Sequence, residues 1–510
     1  MSAAAAYKAD AEALARGAVI NFLGNFGRVS RALSLMLIAW LFGADVLGLY
    51  VLAWATTDFL RRFVSFGQEP AVVYYLSWAL NDGDHERGAR VVGSSLIIVL
   101  VTGALGSLLL WSGMDFISYH VLTEPRLVTA FKAFALALPA VGIASVFIAA
   151  TRAKKVMKYE VLARSFVEPF VLLVGTVFAW RMEAGLLGLA MAQTAAFWCS
   201  ALACVFFYRS LYSLPLLGRA LAQPTEIPRL LHYSTPVAAK DVLAQGVARI
   251  DLFLVGHFLS AATAGVYGMV LEVASLSKYV RQALEPIFGP LVVEQHHRAE
   301  QDRLRYTYRN ATRWALLINL GFFGIAALVG STILRVYGNE FAAGGTALAI
   351  LVFGQVVNGA FGLSEMMLLM VGRPALMLGD MALLLGLIGA LDYAFIQIWG
   401  LTGAAIGTAG ATILVVLLQV LQVRVSAGVH PWRKALLKPV FACLGALFLA
   451  WILPLWQLPT APESIIRAVL FAAFYLVFLR QLGLEPEERR FGQWIKTKLG
   501  WRLASAAVRR

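Results

Sequence analysis

Gly48-Leu49-Tyr50-Val51-Leu52-Ala53-Trp54-Ala55-Thr56-Thr57-Asp58-Phe59-Leu60-Arg61-Arg62 is an apolar run that opens on a glycine and ends in charge. It returns, altered, 217 positions on: Gly265-Val266-Tyr267 opens a second apolar run, and Lys278 stands where Arg61 stood. Two further echoes keep nearly the same offset. Glu69-Pro70 recurs as Glu285-Pro286, and Gly185-Leu186-Leu187-Gly188 as Gly400-Leu401-Thr402-Gly403. Three weak matches at almost one spacing amount to an internal duplication. The offset carries the first apolar segment onto the seventh, so the repeated unit has six segments. An even number of crossings returns a chain to its starting side, so the two copies share one orientation, related by an axis along the membrane normal.

That reading presumes a membrane, and composition supplies it. Of 510 residues, 60% are hydrophobic and 14% charged, against about 45–50% and about 25% in a soluble domain. In hydrocarbon every backbone N–H and C=O must be satisfied internally, which leaves helices or a closed barrel. The apolar runs are long and continuous, not the roughly ten-residue alternating segments of a barrel. The expected fold class is therefore all-α integral membrane, with about fourteen transmembrane helices: two pseudo-symmetric six-helix lobes plus two C-terminal helices.

The expected spans lie near 18–41, 46–78, 91–111, 128–150, 159–181, 185–208, 235–258, 264–292, 311–334, 344–371, 375–397, 401–424, 436–456 and 463–482. The implied divisions are a lead-in over 1–17, an N-lobe over 18–210, a linker over 211–234, a C-lobe over 235–425, the last two spans within 436–482, and a basic amphipathic tail over 483–510. Loops after even-numbered spans carry most of the cations, among them Arg152, Lys154, Lys155, Lys158, Arg298, Arg303, Arg305, Arg309, Arg424, Arg433, Lys434 and Lys438. Such one-sidedness places those loops and both termini in the cytoplasm. It also accounts for the net charge of +14 without nucleic acid, because the cations are scattered between apolar spans. In the tail, Phe491, Trp494, Ile495 and Leu499 recur at helical spacing among basic residues, as in a helix lying on an anionic leaflet. Cys199, Cys204 and Cys443 form no metal-ligand pattern.

Ionisable groups inside spans cost about 2.5–3.5 kcal/mol each on insertion scales and mark function by default. Here they gather in spans one, two, seven and eight. Asn21, Asn25, Arg28 and Arg31 form a polar stripe on the first; Asp58, Arg61 and Arg62 lie on the second; Lys240, Asp241, Gln245, Arg249 and Asp251 on the seventh; Glu272, Lys278, Arg281 and Glu285 on the eighth. The economical arrangement is a wet, positively lined crevice between the halves. Its anion-binding candidates are Arg28, Arg31, Arg61, Arg62, Arg249, Lys278 and Arg281, with Asn21, Asn25 and Gln245 as further polar lining. Arginine suits phosphate because its planar fork grips two oxygens. The alternative is internal pairing: Asp58 with Arg62, Arg281 with Glu285 and Arg164 with Glu168 each stand four residues apart. Pro70 and Pro286, as repeat-mates, predict matching bends.

The order and spacing of Leu41-Phe42-Gly43-Ala44-Asp45-Val46-Leu47-Gly48-Leu49-Tyr50, His232-Tyr233-Ser234-Thr235-Pro236, Arg249-Ile250-Asp251-Leu252-Phe253-Leu254-Val255-Gly256 and Gly265-Val266-Tyr267 resemble the polysaccharide flippases of the multidrug/oligosaccharidyl-lipid/polysaccharide (MOP) exporter superfamily. The resemblance spans nearly the whole chain. It implies two six-helix lobes that open to one side at a time, in a bacterial inner membrane. It implies an undecaprenyl-pyrophosphate-linked oligosaccharide as substrate, for O-antigen or exopolysaccharide synthesis, and the polymerase or export machinery of that pathway as partners. In related lipid II flippases arginines of the first, second and eighth spans meet the diphosphate, which here points to Arg28, Arg31, Arg61, Arg62 and Arg281. The resemblance also implies coupling to Na+ or H+ rather than a bound cofactor, with Asp251 the best motif match and Asp241, Glu272, Glu365 and Asp380 the alternatives. Three other readings stay open at this stage: a lipid II flippase, a multidrug or cation antiporter of the same superfamily, and a membrane polymerase or ligase. The last needs a long outward loop, and no loop on that side is long.

Overall fold

The computed structural model describes residues 26–453 and 460–482, so the lead-in, Asn21, Asn25 and the basic tail lie outside the described residues. In chain order the helices are α1 (Phe26–Ser65), α2 (Gln68–Asn81), α3 (His85–Phe116), α4 (Leu127–Ala135), α5 (Leu138–Ala153), α6 (Glu168–Arg181), α7 (Gly185–Leu211), α8 (Leu214–Leu221), α9 (Ile227–Phe258), α10 (Ala261–Ala274), α11 (Lys278–His297), α12 (Gln301–Arg335), α13 (Gly345–Phe361), α14 (Leu363–Met370), α15 (Pro374–Ala427), α16 (Leu437–Ile452) and α17 (Thr460–Gln481). No strand occurs among the described residues. The chain is an all-α integral membrane protein that crosses the bilayer many times.

Among the described residues nine helical stretches are long and apolar enough to cross a membrane, ten if the bent pair α4 and α5 is one span. The expected number is about fourteen, and the shortfall has two physical causes. Adjacent expected spans fuse into single long stretches, at Ala32–Asn81 and at Pro374–Ala427. The seventh and eighth expected spans, on α9 to α11, carry the intramembrane charges and so fail an apolar criterion.

The fused stretches break at glycine. Gly43 interrupts α1 with φ 76°, and Gly400 interrupts α15 with φ 55°. Gly185, the repeat-mate of Gly400, has φ 54° at the start of α7. A left-handed φ is open to glycine at little cost, and the duplicated glycine motif keeps nearly the same positive φ in both copies. The proline echo behaves differently. In the first copy the break falls at Phe66 and Gly67, both left-handed, and Pro70 sits in the first turn of the next helix, where its missing N–H is harmless. In the second copy the break is a single 3-10 turn, Ser275–Ser277, and Pro286 lies well inside α11. Pro70 and Pro286 therefore hold different places in their helices.

The chain divides into two compact units that do not follow chain order: Met1–Glu272 with Leu334–Ala347 and Leu378–Ala411, and Val273–Ile333 with Leu348–Met377 and Thr412–Arg510. In the first unit, Val92, Val99, Phe147, Ile148, Tyr208 and Leu230 belong to one buried cluster. The second unit has a cluster around Leu320, Val356, Val420, Cys443 and Phe471, and another around Leu304, Tyr308, Val423 and Val429. Lipid tails are as apolar as leucine, so such clusters stabilise through close packing rather than escape from water.

Candidate functional site

The first polar cluster joins a helix of the first sequence half to one of the second, both within the first unit. Asp58 on α1 is 5% exposed, a position that a carboxylate holds only with partners. Its Oδ1 pairs with Arg61 at 2.6 Å and its Oδ2 with Arg249 of α9 at 3.3 Å. Gln245, one helical turn before Arg249, donates from Nε2 to the same Oδ2 at 2.5 Å. The Arg249 guanidinium also lies 4.6 Å from the centre of the Trp54 ring, an attractive cation–π arrangement. One carboxylate thus serves two guanidiniums. Arg62, next in the chain, has its Nε buried with no hydrogen-bond partner. The four-residue pairing of Asp58 with Arg62 gives way to a three-residue one with Arg61.

A second cluster in the same unit is acidic. Asp251 of α9 is 3% exposed and Asp392 of α15 fully buried. The Tyr267 hydroxyl donates to Asp251 Oδ2 at 3.2 Å, the Thr408 hydroxyl reaches Asp392 Oδ2 at 3.1 Å, and the two carboxylates act on each other electrostatically. Four side-chain oxygens of this kind suit a proton or a hard cation. Sequence reading missed Asp392, although an acid in a long apolar stretch is itself the signal. Among the described residues, here included, no three His, Cys, Asp or Glu side chains converge as metal ligands would.

Arg28 and Arg31 are on α1, their side chains outside the described residues. In the second unit Arg281 pairs with Glu285 at 3.2 Å and with Glu365 at 3.1 Å, so Glu365 is engaged by an arginine. Lys278 begins α11. Asp241 is half-buried on α9, Asp380 is 3% exposed on α15, and Glu272 acts electrostatically on Tyr337. Arg164 interacts electrostatically with Glu168, the partner expected along its own helix, and also joins a wider network: Glu69 accepts from Arg164 at 2.6 Å and from Arg152 at 3.2 Å, and Glu160 engages both arginines.

The family described as polysaccharide biosynthesis protein matches residues 37–344. No curated protein matches the sequence. Among solved structures, the lipid II flippase MurJ in an inward closed conformation matches with a TM-score of 0.75 at 14% identity, over 90% of this chain and 97% of that one. An inward-facing multidrug resistance MATE family transporter of the MOP superfamily matches with a TM-score of 0.69 at 13% identity, over 80% of this chain and 94% of that one. A MATE protein in complex with MaL6 matches with a TM-score of 0.59 at 15% identity, over 82% and 96%. At such identities the likeness carries the fold alone.

Proposed function

The chain belongs to the polysaccharide biosynthesis protein family, and on that premise we propose that it is a flippase moving an undecaprenyl-pyrophosphate-linked oligosaccharide from the cytoplasmic to the periplasmic leaflet of a bacterial inner membrane. The observation that carries this reading is the Asp58 cluster. Arginines from both sequence halves gather on apolar helices around a single carboxylate, and the neighbouring Arg62 keeps a buried Nε without a partner. A diphosphate supplies the concentrated negative charge such a group favours, in a form that guanidinium binds in bidentate fashion.

In the proposed cycle Arg61, Arg62 and Arg249 draw the diphosphate from the inner leaflet while the polyprenyl tail stays in lipid. Trp54 and Asp58 hold Arg249 in place for that encounter. The glycan follows the diphosphate, and rearrangement of the two six-helix halves exposes it on the other side. Asp251 and Asp392 take up the coupling cation, H+ or Na+, and so bias one state over the other. A ligand shifts such an equilibrium only by its difference in affinity for the two states. For a carboxylate pair, protonation or cation binding supplies that difference by relieving repulsion. The fold and family favour a transporter over a polymerase or ligase, and the basic cluster favours an anionic lipid over a cationic drug.

Reconstitution tests the activity directly. In vesicles loaded with undecaprenyl-diphosphate glycan, the protein should make inner-leaflet glycan accessible to an external lectin or glycosidase in the presence of an ion gradient. No gain over empty vesicles under either gradient would end the proposal.

A further inference from the structure

A second concentration of cations lies within the second compact unit. Arg305 and Arg309 stand four residues apart near the start of α12, which puts them on one face. Arg424 lies in the last turn of α15, and His430 and Arg433 follow in the loop before α16. Arg309 is drawn onto that loop: its Nε donates to the His430 carbonyl at 3.4 Å, and its Nη2 lies 3.5 Å from the His430 ring Nε2. Packing of Leu304 and Tyr308 with Val423, Ala427 and Val429 fixes the two segments against each other.

The convergence works against charge. Arg305, Arg309 and Arg424 all repel protonation of the half-buried His430 imidazole; burial lowers its pKa first and these guanidiniums add to the effect. Arg305 has one carboxylate partner, Asp302 at 3.3 Å, whose side chain is 98% exposed and therefore worth little. Among the described residues no carboxylate pairs with Arg309 or Arg424. The tendency of cytoplasmic loops to be basic requires only that cations lie on one side. It does not require them to crowd around one imidazole, which is unfavourable unless an anion shares the space.

The surroundings say which anion. Val425, beside Arg424, is 86% exposed, and Leu421 and Leu437 are also exposed. Trp432 is exposed too, its ring tilted against Phe361 with centroids 5.0 Å apart. Bare aliphatic side chains next to a tryptophan and a group of arginines describe the boundary between acyl chains and head groups. We propose that Arg305, Arg309 and Arg424, with His430, form a binding site for the phosphate of an acidic membrane lipid, which ties the start of α12 to the end of α15 and the loop before α16. The site is independent of the transport reading and stands or falls separately from it.

Native mass spectrometry of the purified full-length protein tests this. Wild type should retain phosphatidylglycerol in preference to phosphatidylcholine. Arg309→Gln with Arg424→Gln should weaken that retention roughly thirtyfold, at about fivefold for each basic residue removed beside an anionic head group. Arg309→Lys with Arg424→Lys keeps the charge and should retain the lipid, and Arg219→Gln with Arg373→Gln, at other exposed basic positions, should change nothing. Arg424→Gln alone, at an exposed helix end, should shift retention in the same direction if the double variant fails to fold. Equal retention of the two lipids by wild type, or unchanged retention in both Gln variants, overturns the site. Release of the lipid by millimolar inorganic phosphate would assign the arginines to a free anion and overturn the lipid as occupant.

Discussion

Gly48 and Gly265, repeat-mates 217 positions apart, lie backbone against backbone: a Cβ built on Gly265 would stand 2.9 Å from the amide nitrogen of Gly48 and 2.4 Å from the carbonyl oxygen of Ala44. The residues that first betray the duplication in the sequence are thus the ones through which its two copies touch. Each copy places a buried tyrosine two residues on, and each hydroxyl finds a polar partner: Tyr50 donates to Gln193 at 2.8 Å, and Tyr267 to Asp251 at 3.2 Å.

Gly48→Ala and Gly265→Ala should both be severe. The Cβ at position 48 would fall 1.7 Å from the Ala261 carbonyl oxygen, and backbone cannot rotate away as a side chain does. Overpacking of this kind costs about 1–3 kcal/mol, occasionally more. Apparent melting temperature in detergent should fall sharply for both variants. Gly386→Ala is the control, since nothing lies within 4 Å of its added Cβ and alanine gains helix propensity of about 1 kcal/mol. A Gly48→Ala protein that melts with wild type would contradict the close approach.

Arg61→Glu and Arg62→Gln separate charge from folding at the Asp58 cluster. Arg61→Glu sets a second carboxylate beside Asp58, now 2.6 Å from the Arg61 guanidinium, and should abolish export of surface polysaccharide while protein remains in the membrane. Arg62→Gln removes a guanidinium whose Nε has no hydrogen-bond partner, so it should leave stability within about 0.5 kcal/mol of wild type, with little change in melting temperature, and still lower export by tenfold or more, on the order of one lost charge-assisted hydrogen bond. Full complementation by Arg62→Gln would remove that residue from the substrate path.

How much of this was open to sequence reading depended on the distance over which a residue finds its partner. Glycine turns are local, and the Gly185 and Gly400 motifs keep the same left-handed φ as their shared spacing suggests. Helix type follows from long apolar runs. Partners distant along the chain were not legible. Arg164 feels Glu168 four residues ahead, as the sequence suggests, but also bonds Glu69, 95 positions away. Arg281 has the expected Glu285 but also Glu365, 84 positions on. Asp392 shares its expected span with Asp380, and nothing in the sequence ranks it above that acid, because its partners, Thr408 and Asp251, come from elsewhere in the chain.

Asp392→Asn should uncouple transport from the ion gradient. The substitution keeps the volume and leaves an acceptor for the Thr408 hydroxyl, 3.1 Å from Asp392 Oδ2, so the fold should hold. Asp251→Asn should have the same effect, and the double variant should be little worse than either, because two carboxylates in one site act as a unit. Vesicle transport measured with and without a proton or sodium gradient checks this. Gradient dependence equal to wild type in both single variants would remove the acid pair from coupling.

Arg164→Gln should destabilise the first unit. It strips Glu69 of its 2.6 Å partner and Glu160 of one at 3.5 Å, leaving Arg152 alone to serve both carboxylates. Each of these side chains is about a quarter to a third exposed, so solvent tempers the loss and a cost of about 1–3 kcal/mol is expected rather than that of a fully buried pair. Glu69→Gln should cost a similar amount. Residues in one ion-pair network are not additive, so Arg164→Gln with Glu69→Gln should lose less than the sum of the two, by about 0.5 kcal/mol or more. The check is a cycle of apparent melting temperatures over the four proteins. Strict additivity would mean that Glu69 and Arg164 are not partners.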